Sequence, residues 1–171
     1  GTPNVTNDFE TAGSIAPFVN GIVTGGAWNS TNTAGAFTVG ARGAQSGTGV
    51  ASSISQMDYT VTVPASGGTI SFDVRVSSES GFDFFRFYIN NVLQTTGSGN
   101  IPWTSVSFPL PGGTYVVRWE YTKDNIVSSG TDRAYVDNVV ITNNASAFRY
   151  VDGSQGAGKV LTSNAAGLAT W

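Results

Sequence analysis

Residues 67–96 read GGTISFDVRVSSESGFDFFRFYINNVLQTT. From Ile70 to Ser77 apolar and polar residues alternate, with Ile70, Phe72, Val74 and Val76 on one face and Ser71, Asp73, Arg75 and Ser77 on the other. Successive side chains of a strand leave opposite faces, so this period of two predicts a strand with one side in a core. After SSESG the alternation resumes, placing Phe85, Phe87 and Ile89 opposite Phe84, Arg86 and Tyr88. Asn90-Asn91 then supplies the left-handed residues that a tight hairpin requires.

The same pattern extends downstream. In GGTYVVRWEYTKD, residues 112–124, Tyr115, Val117, Trp119 and Tyr121 point inward against Val116, Arg118, Glu120 and Thr122. RAYVDNVVIT follows as a further strand with Tyr135, Val140 and Ile141 as core positions. Upstream, weaker strands fall at 19–23, 27–30, 36–39, 50–54 and 57–63, separated by Gly, Ser, Asn or Pro, and no helical period competes. Short strands at regular spacing predict an all-β fold, an antiparallel β-sandwich of the jelly-roll kind over residues 1–143.

Residues 144–171 break that pattern and form a short, Gly-rich, extended C-terminal appendage. Its apolar residues, Phe148, Tyr150, Val151, Val160, Leu161 and Trp171, are too few for a core and must pack on the sandwich or on other chains. Within it GSQGAGKV, residues 153–160, comes close to a nucleotide-binding loop, but Val160 stands where a magnesium-binding hydroxyl is needed. A segment with so little chain left for a packed helix reads as a flexible turn rather than a phosphate cradle.

Composition narrows the chemistry. The chain has 171 residues, 40% hydrophobic and only 11% charged, with a formal net charge of -3, a balance typical of secreted or displayed β proteins. No basic stripe exists to meet a phosphate backbone, which argues against nucleic acid. No run of 18 apolar residues is present to insert into a membrane as a helix. With neither cysteine nor histidine, disulfides, thiolate zinc sites and imidazole-based catalysis are excluded. The opening GTPNVTNDFE is not a signal peptide, and the chain reads as a mature or excised piece of a longer protein.

The order of DFE, residues 67–91, IPWTSVSFPLPGGTYVVRWEYTKD and VSSGTDRAYVDNVVI resembles the bacterial jelly-roll modules attached to secreted proteases, adhesins and glycan-degrading enzymes, including cleaved-adhesin and MAM-like domains. The tail FRYVDGSQGAGKVLTSNAAGLATW resembles Gly-rich segments of phage tail fibres and large surface adhesins, where such stretches join modules in trimeric stalks. Together these imply a non-catalytic, extracellular module, secreted or displayed on a cell or virion surface, that binds a glycan or another cell-surface ligand. The alternative is a fibre component that forms a homotrimer through residues 145–171.

The resemblance also implies a structural calcium where the first and last strands meet, with Glu10 and Asp137 as ligands and Asp8 as a third carboxylate. Calcium takes six to eight hard oxygens, which such residues and loop carbonyls supply. The other role open to Glu10 and Asp137 is acceptance of backbone hydrogen bonds in turns. For ligand contact the polar strand faces offer Asp73, Arg75, Arg86, Tyr88, Arg118 and Glu120. Aromatic rings stack on sugar C–H faces while guanidinium and carboxylate groups bind hydroxyls, but cross-strand ion pairs on a solvated sheet read the same way. Trp28 and Trp103 are further candidates, Trp103 either open for stacking beside Pro102 or buried at a sandwich edge. Asp73 and Glu120 would be the glycosidase pair, yet each has an arginine nearby, which lowers a carboxylate's pKa and disfavours a general acid.

Overall fold

The computed structural model describes residues 2–48, 50–144, 162–163 and 169–170. Its strands are β1 (Thr2–Asn7), β2 (Val19–Val23), β3 (Asn29–Thr31), β4 (Gly43–Gln45), β5 (Ser53–Val63), β6 (Gly68–Ser77), β7 (Phe84–Ile89), β8 (Val92–Gly97), β9 (Asn100–Leu110), β10 (Gly113–Lys123), β11 (Arg133–Asn143), β12 (Thr162–Ser163) and β13 (Ala169–Thr170). A six-stranded sheet runs β3-β4-β11-β6-β9, with β1 also paired to β11, and a five-stranded sheet runs β2-β5-β10-β7-β8. All pairings are antiparallel, and the two sheets close on one core as a β-sandwich.

The alternating residues fill that core as their period predicts. Phe72 from one sheet and Phe87 and Trp119 from the other meet with ring centroids 4.7, 5.1 and 5.5 Å apart, and Phe18 edges onto Trp119 at 5.3 Å. Tilted and edge-on contacts of this kind add to the area that aromatic rings bury. The hairpin between β7 and β8 turns at Asn90 and Asn91, with φ of 48° and 62°. β9 tolerates Pro102 and Pro109 because it is an edge strand, where a missing N–H leaves no ladder bond unmade.

Strand β11 departs from simple alternation. Along one side it pairs with β6; along the other it pairs with β4 at Tyr135–Val136 and then with β1 from Val139 to Asn143. The change of partner falls at Asp137–Asn138, where the register shifts and Asn138 takes a φ of 50°. This extra residue resets the parity, so Ala134, Val136, Val139 and Ile141 enter the core and Val140 is only half-buried. Two core expectations are thereby corrected. Val139 replaces Val140, and Tyr135, though buried, lies on the sheet's outer side opposite Arg75, beneath loop 32–42.

That loop includes the stretch 36–39 expected to be a strand. Gly35 and Gly40, with φ of 81° and 66°, bracket it, and the N–H groups of Thr38 and Val39 turn to the Asp137 side chain instead of a neighbouring strand. Strands expected at 50–54 and 57–63 merge into one continuous β5 that begins only at Ser53, with residues 50–52 forming the turn before it. In the tail, β12 and β13 pair with each other as a separate two-stranded unit. GSQGAGKV and the apolar residues of the appendage lie outside the described residues.

Candidate functional site

The outward faces of β5, β10 and β7 form one row of polar groups on the five-stranded sheet. Register sets Arg118 between Asp58 and Tyr88, and Glu120 between Gln56 and Arg86. Arg118 makes a two-pronged pair with Asp58, both contacts at 2.8 Å, and reaches Asn91 Oδ1 at 3.3 Å. Those hydrogen bonds to Asp58 raise the guanidinium's already high pKa. Glu120 is the hub: its Oε2 accepts from Gln56 Nε2 at 2.7 Å, its Oε1 accepts from the Tyr88 hydroxyl at 3.2 Å, and Arg86 lies 3.7 Å away. Burial, then the Glu120 charge, holds the Tyr88 phenol above its usual range, so it is a hydrogen-bond donor at any ordinary pH. Arg86 also covers the Phe84 ring at 4.7 Å and donates to Thr122 Oγ1 at 2.8 Å.

The row is accessible at its arginines. Arg86 keeps 28% of its side-chain surface and Arg118 25%, against 12% for Glu120 and 16% for Asp58, Gln56 is buried, and at the sheet's margins Val19 and Leu93, opposite Asp58 and Tyr88, are exposed. A tyrosine ring flanked by two guanidinium groups and two carboxylates offers donors, acceptors and an apolar surface on one open sheet. Ligand-binding faces are built from such a combination.

Asp73 and Arg75 do not join this row. They sit on β6, in the other sheet, so the six charged and aromatic candidates are divided between opposite outer faces of the sandwich. Loop 32–42 engages them. Gly35 O accepts from the Trp103 indole at 3.1 Å and from Arg75 Nη1 at 2.6 Å, and Arg75 lies 5.2 Å over the Tyr135 ring. Trp103 is half-buried with its N–H committed to the loop. Asp73 accepts from Thr38 Oγ1 at 2.7 Å and from Ser105. Trp28, a candidate for ligand stacking, is 1% exposed, and its indole donates to Ser55 O at 3.0 Å; it belongs to the core. Its flanking Asn20 bonds hold the chain there through both Trp28 N–H and C=O.

Glu10 and Asp137 grip the same loop from either side of Gly40. Asp137 Oδ2 accepts from the N–H groups of Thr38 and Val39 at 2.6 and 2.9 Å, and its Oδ1 from Asn138 N–H at 2.8 Å. Glu10 Oε1 accepts from Ala41 and Arg42 N–H at 2.7 and 3.0 Å. Backbone acceptance is the second of the two roles open to these carboxylates, and it is the role these contacts fill. Burial raises the Asp137 pKa against the opposing pull of these N–H donors. With Asp8 they form no three-carboxylate cluster among the described residues. The acidic group that does converge is Glu79, Asp83 and Asp124, residues that carry no spacing motif and are joined only by the fold.

Several solved structures share this architecture. The K1 cleaved adhesin domain of Lys-gingipain from Porphyromonas gingivalis W83 superposes with a TM-score of 0.63 at 17% identity, covering 85% of this chain and 100% of that one. TmCBM61, solved in complex with β-1,4-galactotriose, gives 0.55 at 11% identity, covering 80% and 94%. The family 11 carbohydrate-binding module from Clostridium thermocellum, solved with a β-1,3-1,4-mixed-linked tetrasaccharide, gives 0.51 at 16% identity, covering 84% and 97%. No protein-family model and no curated protein matches the chain. The fold is thus the β-sandwich of cleaved adhesin domains and carbohydrate-binding modules.

Proposed function

We propose that this chain is a non-catalytic, extracellular binding module that recognises a glycan on the outer face of its five-stranded sheet. The observation that carries this reading is the row in which the half-buried Tyr88 and Arg86 are hydrogen-bonded or ion-paired to Glu120, itself held by the buried Gln56, across three strands. Side chains already held by one another lose little freedom on binding, and Tyr88 presents a ring beside groups that pair with hydroxyls. The sugar complexes of TmCBM61 and the family 11 module show that this fold is used for that purpose elsewhere. Catalysis is disfavoured by placement: Asp73 and Glu120 stand on opposite faces of the sandwich, and no cleft lies between them.

The test is a glycan array followed by calorimetry on each hit. Tyr88→Ala is expected to weaken binding at least tenfold while the melting temperature stays within a few degrees. An array without hits, or a hit whose affinity ignores Tyr88→Ala and Arg86→Ala, would refute the assignment.

A second reading, assembly of a fibre through residues 145–171, draws on the pairing of β12 with β13 apart from both sandwich sheets. Light scattering separates the two. A trimer that becomes monomeric on deletion of 145–171 supports assembly, and a monomeric full chain removes it.

A further inference from the structure

The two arginines of the five-stranded sheet are used differently. Arg118 spends its fork inside the protein: Nε and Nη2 each donate to Asp58 at 2.8 Å, and Nη1 donates to Asn91 Oδ1 at 3.3 Å. Arg86 donates from Nη1 alone, to Thr122 Oγ1 at 2.8 Å. Glu120 Oε1 stands 3.7 Å from that same nitrogen, too far for a hydrogen bond, and the Glu120 carboxylate already accepts from Gln56 and Tyr88. Among the described residues no acceptor meets Arg86 Nε or Nη2. That pair of N–H groups is the edge which Arg118 presents to Asp58.

The unspent edge is both held and open. The guanidinium carbon lies 4.7 Å over the Phe84 ring and Thr122 ties one end, so the fork is oriented before a ligand arrives. Arg86 keeps 28% of its side-chain surface and Glu120 only 12%, so the charge that a ligand meets here is positive. A sugar hydroxyl matches one of the two N–H groups. A carboxylate matches both in parallel and brings the opposite charge, which makes its hydrogen bonds about twice as strong as neutral ones.

We propose that the glycan bound on this face is acidic, a uronic- or sialic-acid chain whose carboxylate pairs two-pronged with Nε and Nη2 of Arg86 while a neighbouring sugar ring rests on Tyr88. This rests on the binding face proposed above and gives its ligand a chemical class. The closed pair of Arg118 with Asp58 offers no second fork, so one carboxylate is recognised in each bound chain.

The experiment prints oligosaccharides of glucuronate, galacturonate, mannuronate and sialic acid beside their carboxyl-reduced counterparts, and measures the affinity of the full chain for each hit by calorimetry. At least one acidic chain is expected to bind about tenfold more tightly than its reduced form, and to weaken as sodium chloride is raised. Arg86→Lys keeps the positive charge but loses the fork. It should weaken the acidic chain about tenfold, leave the reduced chain within about twofold, and keep the melting temperature within a few degrees. Equal affinity for an acidic chain and its reduced form, or acidic binding that Arg86→Lys leaves unchanged, overturns the acidic preference and leaves the binding face to the Tyr88→Ala test. Silence from every acidic chain alongside hits among neutral glycans overturns the preference alone, and silence from both overturns the binding face with it.

Discussion

Asn138 and Gly40 show how single residues set the faces of this molecule. Asn138 takes the left-handed conformation that lets β11 leave β4 for β1, and by doing so turns Asp137 toward loop 32–42 and Val139 into the core. Gly40, also left-handed, brings that loop so close to Glu10 that an added Cβ would collide with its carboxylate. Gly40→Ala is therefore expected to lower stability by about 1–3 kcal/mol, measured by denaturant unfolding, from backbone strain and the lost Glu10 contacts. An unchanged midpoint would remove Glu10 from the account of how the loop is held. The motif YVDNVV carried the signal for this bulge in its Asn, but alternation alone could not say whether the parity flips before or after it. For the same reason alternation points to Val140 where the bulge puts Val139 in the core. Trp28 reads as a binding candidate from sequence because a tryptophan's burial depends on what covers it, here Ser55 and the core of the opposite sheet, and not on its neighbours in sequence.

At the scale of elements, β6, β7 and β10 were legible because each alternates cleanly and buries one face. β1, β3 and β4 were less so: short or polar strands obtain their place from pairing with β11 and with one another, and carry little period of their own. Binding candidates were split for a related cause. Alternation shows which residues share a strand face, but not whether β6 and β7 share a sheet, and here consecutive strands lie in different sheets. The hairpin joining β7 to β8 is a clear test of local coding. Asn90 is left-handed and its Oδ1 accepts from Val116 N–H at 2.8 Å. Asn90→Ala loses that bond and the residue's tolerance of positive φ, so a cost of about 1–2 kcal/mol is expected, whereas Asn91→Gly should be neutral or stabilising. In the core, Phe87→Ala removes a ring that touches Phe72, Trp119 and Phe108 and is expected to cost about 3–5 kcal/mol.

For the whole molecule, pH and ligand report on different regions. The carboxyls of Glu79, Asp83 and Asp137 are all held above their usual range, with burial the first cause in each. A carboxyl raised in the folded state binds its proton more readily there than in the unfolded chain. Its contribution is thus fully present below the unfolded value, near 4, and lost as pH rises through the folded value. The denaturation midpoint should rise as pH is lowered from 7 into the window just above the ordinary carboxylate range, and Asp137→Asn should flatten that rise. A midpoint that falls throughout the window would contradict these directions. Loops 32–42, 78–83 and 124–132 then account for acid response, while the five-stranded sheet is left to meet the ligand.

The most direct measurement is a backbone NMR titration of the full chain with an oligosaccharide identified on the array. Shifts concentrated on residues 56, 58, 86, 88, 118 and 120 are the predicted result. Shifts gathered instead around Trp103 and Tyr135 on the opposite sheet, or none at saturating sugar, would contradict it.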